Sequence, residues 1–118
     1  MQKILLIDDE QDILRVLSMS LKSDGYEVVS ALNGKEGLGI FEKESPDIVL
    51  TDIKMPGMDG IEVLKEVKKI NPETEVIIIT GHGDIDIAIE ALQYGASDFI
   101  NKPVRDKALS IALERAKE

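Results

Sequence analysis

Short apolar runs alternate five times with segments of helical periodicity along the chain. The runs cover 3–7, 26–30, 47–52, 75–80 and 96–101. They are rich in Ile, Val and Leu and end at acids, Gly, Pro or Asn, a pattern typical of buried strands. This alternation, with connections of a few residues, predicts an α/β domain in which helices cover both faces of a parallel sheet through right-handed crossovers.

The intervening segments carry apolar residues at three- and four-residue spacing, which predicts amphipathic helices. The first begins near Asp9 or Glu10 and ends before Gly25, and the others cover 35–44, 60–70, 84–94 and 104–118, with Asp84 as the expected cap of the fourth. The residues expected to face the core are Ile13, Val16, Leu17, Ser20 and Leu21; Leu38 and Phe41; Ile61, Leu64 and Val67; and Ala108, Ile111 and Ala112.

Composition narrows the class of protein. The 118 residues fit one domain, which we expect to span 1–118. A net charge of −9 argues against nucleic-acid binding by this domain, because its surface repels a phosphate backbone. The chain has no cysteine, which excludes disulfides and thiolate metal sites. No apolar run approaches the roughly 20 residues that span a bilayer. We therefore expect a cytoplasmic protein that does not bind membranes.

Polar residues that could react or bind ligands lie at the carboxyl ends of four runs. Asp8 and Asp9 follow the first, Asp52 ends the third, Thr80 ends the fourth and Lys102 follows the fifth. Because parallel strands bring their carboxyl ends to one edge of a sheet, we expect a single site there. Grouped carboxylates repel one another, and a cation such as Mg²⁺ relieves that repulsion. Acids, a hydroxyl, a lysine and a divalent cation favour phosphoryl transfer, in which a carboxylate can be the covalent acceptor.

Each of these residues also has a structural explanation. Asp8 and Asp9 could cap a helix, and Asp52 could open a Pro-Gly turn. Thr80 could be an ordinary strand residue, and Lys102 a solvated charge. Four such coincidences at four strand ends are improbable, so we favour the functional site.

The set formed by Asp8-Asp9, Asp52 within DIKMPGMDG, Thr80 and Lys102-Pro103 resembles the receiver domain of bacterial two-component response regulators. The resemblance covers essentially the whole chain, and segment 84–90 is similar to receivers of the nitrogen-regulation type. It implies a (βα)5 doubly wound, five-stranded parallel sheet in the order 2-1-3-4-5, a flavodoxin-like three-layer sandwich. It also implies a cis peptide bond before the proline that follows the lysine.

The resemblance implies that Asp52 is the phosphoacceptor, which takes a phosphoryl group from a phosphohistidine of a sensor histidine kinase in a Mg²⁺-dependent transfer. It further implies that Asp9, Asp52 and the backbone carbonyl of Lys54 bind the Mg²⁺, and that Asp8 acts through water. The domain would then be a signalling module that catalyses only its own phosphorylation and dephosphorylation.

By the same resemblance, Thr80 and Lys102 hold the phosphoryl oxygens, and Thr80 and Phe99 form a switch. When Thr80 moves, the ring of Phe99 fills the vacated space and changes the face of the fourth helix, fifth strand and fifth helix that partners contact. Phe99 stands where many members have Tyr, which excludes a hydroxyl-mediated switch. The output partner is unspecified, and the resemblance allows a phosphorylation-dependent homodimer. The chain is compatible with a fragment of a longer regulator and with a stand-alone receiver.

Lys54 and His82 lie two residues after Asp52 and Thr80, where the family tunes the lifetime of the phosphoryl group. We hypothesise that the cationic Lys54 and the titratable His82 alter the approach of hydrolytic water. The simpler explanation of His82 is an exposed loop residue.

Three other functions use related features. A phosphohydrolase of the haloacid dehalogenase type also forms an aspartyl phosphate, but it needs a second Asp where this chain has Lys54. A flavin mononucleotide carrier needs a loop rich in Ser, Thr and Gly after the first strand, where this chain has three acids that repel phosphate. A degenerate receiver that works without phosphorylation is disfavoured by the complete set of acids, Thr and Lys.

Overall fold

The computed structural model of the chain describes residues 2–81 and 83–117. The elements within them are β1 (Lys3–Ile7), α1 (Gln11–Ser23), β2 (Glu27–Ala31), α2 (Gly34–Glu44), β3 (Ile48–Asp52), α3 (Gly60–Ile70), β4 (Glu75–Thr80), α4 (Ile85–Gln93), β5 (Asp98–Asn101) and α5 (Asp106–Lys117). The strands form one parallel sheet in the order β2-β1-β3-β4-β5. The predicted fold class and strand order are therefore confirmed.

Helices on both faces bury the sheet. In β1, Leu5 and Ile7 point to the layer formed by α2, α3 and α4, whereas Ile4 and Leu6 point to α1 and α5. Side chains alternate between the two faces of a strand, so a strand between two helix layers needs apolar residues at every position. This explains why β1, β3 and β4 are continuous apolar runs rather than alternating ones.

The first helix turns a different stripe to the core from the one that the spacing predicted. Val16 is 64% exposed, whereas Leu14 is buried beside Leu17 and Leu21. Apolar residues cover more than one stripe of α1, and the stripe made entirely of leucine contacts the sheet. The prediction for Val16 was wrong because periodicity alone does not choose between neighbouring stripes.

A similar difference occurs in the last helix. Leu109, Ala112 and Leu113 are buried, whereas Ala108 and Ile111 are exposed, so the predicted inward face was correct only at Ala112. Leu109 and Leu113 lie one turn apart and bury more apolar area than an alanine could. The stripe that removes most apolar surface from water therefore faces the sheet.

The fourth helix is attached to the sheet by few side chains. Ala88 and Ala91 are its buried residues, and Ile87 is partly buried. Ile85 and Ile89 are exposed, one turn apart on the outer face. Apart from Ile87, the helix thus presents its larger apolar side chains to solvent.

The second helix lies very close to β1 at Gly37. A Cβ added there would lie 2.4 Å from Cδ1 and 2.9 Å from Cγ1 of the buried Ile7, whereas a Cβ at Gly39 would meet nothing within 4 Å. Glycine lowers helix propensity at both positions. The structure gives Gly37 a packing role and leaves Gly39 without one.

We expect Gly37→Ala and Gly39→Ala to change stability in opposite directions. Alanine at 39 should raise the free energy of unfolding by about 0.5–1 kcal/mol, because it improves helix propensity in open space. Alanine at 37 should lower it by about 1–3 kcal/mol, because the new methyl group overpacks the contact with Ile7. Urea unfolding of the two variants tests this directly. A stabilised Gly37→Ala would show that α2 can shift away from the sheet at little cost.

Candidate functional site

The polar residues that follow the strands meet at one edge of the sheet, as predicted. Asp8 follows β1, Asp52 ends β3, Thr80 ends β4 and Lys102 follows β5. The Lys102 ammonium lies 3.1 Å from Asp52 Oδ2 and 3.9 Å from Asp8 Oδ2. It also lies 3.7 Å from Glu10 Oε1. One lysine therefore connects acids from two strand ends that are 44 residues apart in sequence.

Asp52 is held in a fixed position by its own strand end. Its side chain is nearly buried, and Oδ1 accepts a hydrogen bond of 2.8 Å from the Ile53 N–H while Oδ2 accepts one of 3.1 Å from Lys102. The start of α3 packs directly behind it, since a Cβ at Gly60 would lie 2.4 Å from the Asp52 carbonyl oxygen. Burial raises the pKa of the Asp52 carboxyl, and the contact with Lys102 partly offsets that rise.

Asp8 is the most deeply buried acid of the site, with 1% of its surface exposed. Oδ1 accepts a hydrogen bond of 2.9 Å from the Glu10 N–H, whereas Oδ2 is buried with no hydrogen-bond partner among the described residues. Burial raises the pKa of Asp8 to about 6, against a lowering effect of the Glu10 N–H and of Lys102. An ionised carboxylate oxygen without a partner is costly in such a place.

The residues at this edge fit a divalent cation that prefers oxygen ligands. Carboxylate oxygens of Asp8, Asp9 and Glu10 lie within 4.8 Å of one another. The unpartnered Oδ2 of Asp8 is the kind of atom that a bound cation would satisfy. Glu10 was not predicted as part of this cluster, although its place directly after the two aspartates was a signal. Asp52, predicted as a metal ligand, is connected to the cluster through Lys102.

Lys102 provides the positive charge of the site. Burial alone would lower the pKa of its ammonium, but the hydrogen bond with Asp52 and the charges of Asp52, Asp8 and Glu10 outweigh burial, so the pKa lies above its ordinary value. The ammonium therefore stays charged at neutral pH. The peptide bond between Lys102 and Pro103 is cis, as the resemblance implied.

Thr80 is buried, and its hydroxyl points to β5 rather than to the carboxylates. It donates a hydrogen bond of 2.8 Å to Asn101 Oδ1, and the Ile100 carbonyl oxygen lies 3.4 Å away. Phe99 is a direct neighbour of Ile78 across the two strands and packs, partly buried, against the core cluster on the side of α3 and α4. The sequence predicts roles for Thr80 and Phe99 but not for Asn101, because only the register of β4 and β5 pairs Asn101 with Thr80.

Lys54 lies at the rim, 68% exposed, with its ammonium 2.8 Å from Asp84 Oδ1. Asp84 Oδ2 accepts a hydrogen bond of 3.1 Å from the Gly81 N–H. Asp84 occupies the predicted cap position before α4, but its carboxylate makes these contacts instead of a side-chain bond to the first turn of the helix. The contact joins the loop after β3 to the start of α4. His82 lies outside the described residues.

No helix in the described part of the chain is long and apolar enough to cross a membrane.

The sequence was compared with protein families and with known proteins. The response regulator receiver domain family matches residues 4–114. The chain is 40% identical over 114 residues to the DNA-binding transcriptional regulator NtrC of Salmonella typhimurium. The aligned region covers 96% of this chain and 24% of that protein. It is 43% identical over 102 residues to sporulation initiation phosphotransferase F of Bacillus subtilis. That aligned region covers 86% of this chain and 82% of that protein.

The fold also matches that of a solved receiver domain. The crystal structure of a response regulator receiver domain protein from Clostridium thermocellum matches with a TM-score of 0.94 at 48% identity, over 98% of this chain and 94% of that one. The chain spans about a quarter of the length of several transcriptional regulators that it matches. The family match over nearly the whole chain, together with five parallel strands in the order β2-β1-β3-β4-β5, shows that the chain belongs to the receiver domains of two-component response regulators.

Proposed function

We propose that Asp52 is the residue of this receiver that accepts the phosphoryl group, and that the donor is a phosphohistidine of a sensor histidine kinase. The observation that supports this most is the pairing of a nearly buried carboxylate with the Lys102 ammonium, 3.1 Å apart, at the end of β3. In the transfer, an Asp52 carboxylate oxygen forms a bond to phosphorus while the P–N bond to the histidine breaks. The electron pair of that bond stays on the imidazole nitrogen.

Lys102 and Thr80 are the residues proposed to contact the phosphoryl group. Lys102 is already paired with Asp52, and its ammonium can contact a phosphoryl oxygen attached there with a small movement of a flexible side chain. The Thr80 hydroxyl is a donor at the end of the neighbouring strand and is proposed to turn to a second phosphoryl oxygen. The proposed switch follows, because the turn of Thr80 frees space beside Phe99.

The acidic edge is proposed to hold Mg²⁺ through Asp8, Asp9 and Asp52, with the backbone carbonyl of Lys54. The unpartnered Oδ2 of Asp8 and the neighbouring carboxylate of Asp9 support this proposal. When bound, Mg²⁺ would offset the negative charge that accumulates on the phosphoryl oxygens. In the protein itself, the Glu10 N–H holds the Asp8 carboxylate in place through a hydrogen bond to Oδ1.

The partners of the domain are proposed from the family and from the surface of α4. Receiver domains of response regulators are signalling domains that occur together with output domains in relatives such as NtrC. The exposed Ile85, Ile89 and Leu92 give α4 an apolar outer face. We propose that this face, with β5 and α5, transmits the phosphorylation state to an output domain, a downstream protein or a second phosphorylated copy. The net charge of −9 still argues against DNA binding by this domain alone.

Intact-mass spectrometry tests the proposed acceptor. After incubation with acetyl phosphate and Mg²⁺ we expect one added phosphoryl group on the parent chain and none on Asp52→Asn. Asp24→Asn, which changes an exposed acid at the far end of α1, is the matched control and should gain the group normally. An adduct that survives Asp52→Asn would overturn the assignment. Continued turnover of a phosphomonoester without an adduct would favour a phosphohydrolase instead.

Lys54→Ala should shorten the lifetime of the phosphoryl group. The Lys54 ammonium lies 2.8 Å from Asp84 Oδ1 at the rim, and we propose that the side chain held there restricts the approach of hydrolytic water to Asp52. We expect hydrolysis to be about two- to fivefold faster, a change on the scale of one exposed charge contact. The decay of the phosphorylated mass after removal of the donor measures it, with Lys69→Ala on α3 as an exposed-lysine control. Equal decay rates in all three proteins would show that the Lys54 side chain does not affect the lifetime of the phosphoryl group.

A further inference from the structure

The hydroxyl of Thr80 has one proton to donate, and in this structure Asn101 accepts it. The distance from Thr80 Oγ1 to Asn101 Oδ1 is 2.8 Å, and Thr80 is almost completely buried. A threonine hydroxyl carries a single O–H. The same proton cannot be donated to Asn101 and to a phosphoryl oxygen on Asp52, so the two acceptors compete for it.

The pairing of β4 with β5 holds Thr80 and Asn101 side by side. Thr80 and Asn101 are direct neighbours in the register of β4 and β5, and the Lys102 N–H donates a hydrogen bond of 2.8 Å to the Thr80 carbonyl oxygen. The backbones cannot slide past each other, so the link between Thr80 and Asn101 is made or broken by side-chain rotation. Asn101 is exposed on the edge strand and can satisfy its amide with water after Thr80 leaves.

Asn101 also lies next to Lys102 and close to Phe99 along β5. It directly precedes Lys102, whose ammonium contacts Asp52. It lies two residues after Phe99 in β5, and it pairs with Thr80 in β4. The side chains of Phe99, Asn101 and Thr80 are therefore on the same face of the sheet. Phe99 has no polar atom with which to hold the Thr80 hydroxyl, and the carboxamide of Asn101 supplies that contact.

We propose that Asn101 is a positioning residue that holds the Thr80 hydroxyl towards β5 and so opposes formation of the phosphorylated state. The inference rests on the proposed phosphorylation of Asp52. Uptake of the phosphoryl group must break the bond to Asn101 before Thr80 can turn. Removal of the Asn101 carboxamide therefore favours the phosphorylated arrangement, in proportion to the strength of one neutral hydrogen bond.

The test compares parent, Asn101→Ala, Thr80→Ala and the double variant. The ligand is beryllium trifluoride with Mg²⁺, a tetrahedral mimic of a phosphoryl group on a carboxylate, titrated by amide NMR. We expect Asn101→Ala to bind it about two- to tenfold more tightly, the range that corresponds to loss of one competing hydrogen bond. In the Thr80→Ala background the same substitution should have no further effect, because the coupling runs through the hydroxyl.

Two further variants separate this role from a purely structural one. Asn101→Asp keeps an acceptor oxygen beside Thr80 and should not bind more tightly than the parent. Gln93→Ala removes an exposed amide at the end of α4 and should match the parent. Unchanged affinity in Asn101→Ala, or an equal gain in the Thr80→Ala background, would overturn the inference.

The acetyl phosphate reaction keeps the two proposals apart. If the adduct forms on Asp52 and Asn101→Ala behaves as the parent in both assays, only the role of Asn101 is wrong. If no adduct forms on Asp52, the proposed acceptor is wrong, and the role of Asn101 is wrong with it.

Discussion

Lys102→Ala is expected to slow phosphorylation of Asp52 by acetyl phosphate about 10²- to 10³-fold, the usual effect of removing one preorganised group that stabilises charge in a transition state. Lys102 is the cation placed against Asp52, Asp8 and Glu10. Without it, none of the described residues pairs a cationic side chain with these acids, and the pKa of Asp52 rises further because a contact that lowers it is lost. Initial rates of adduct formation by mass spectrometry measure the effect.

The control for Lys102 is Lys107→Ala, an exposed lysine in the first turn of α5 that should leave the rate unchanged. Lys102→Arg should recover part of the rate, because a guanidinium restores the charge but not the compact point contact. A Lys102→Ala protein that reacts within twofold of the parent would show that the ammonium pairs with Asp52 without assisting the reaction.

Asp8→Asn is expected to stabilise the metal-free protein at neutral pH by about 1–3 kcal/mol. Burial raises the pKa of Asp8 from an ordinary 3.8 to about 6. An acid whose pKa is higher in the folded protein destabilises the fold as it ionises, so the cost is absent below the ordinary value. It develops as the pH rises from about 4 to about 6, and it is complete above that window. Asparagine carries no charge and avoids the cost.

Urea unfolding in EDTA at pH 4 and at pH 7.5 measures this difference. The gain of Asp8→Asn over the parent should be small at pH 4 and full at pH 7.5. Added Mg²⁺ should raise the stability of the parent, because a ligand that binds only the folded state stabilises it. The increase should be much smaller in Asp8→Asn. A gain that is the same at both pH values would show that Asp8 is not ionised at a cost.

The sequence was sufficient for the sheet and for most of the edge residues, for a physical reason. Parallel strands buried on both faces must be continuous apolar runs, so the polar residues that end them mark the carboxyl edge. Asp8, Asp52, Thr80 and Lys102 each directly follow or end such a run. Their proximity then follows from topology alone, without knowledge of any side-chain conformation.

What the sequence did not predict depends on contacts between elements. Asn101 becomes the acceptor for Thr80 only through the register of β4 and β5. The pairing of Lys54 with Asp84 requires that the loop after β3 and the start of α4 approach each other. A local pattern explained Asp84 as a helix cap, because an acid before a helix usually has that role. The Asp84 carboxylate instead contacts Lys54 from the loop after β3 and accepts a hydrogen bond from the Gly81 N–H.

The exposed and buried sides of α4 have a consequence for how the domain opens. A buried methyl group contributes about 0.8 kcal/mol, so Ala88 and Ala91 attach α4 far less firmly than Ile61, Val63, Leu64 and Val67 attach α3. The domain therefore combines a firmly packed sheet with a loosely attached α4. Such a helix separates from the sheet without global unfolding, so amide hydrogens in α4 should exchange with solvent long before those in α3.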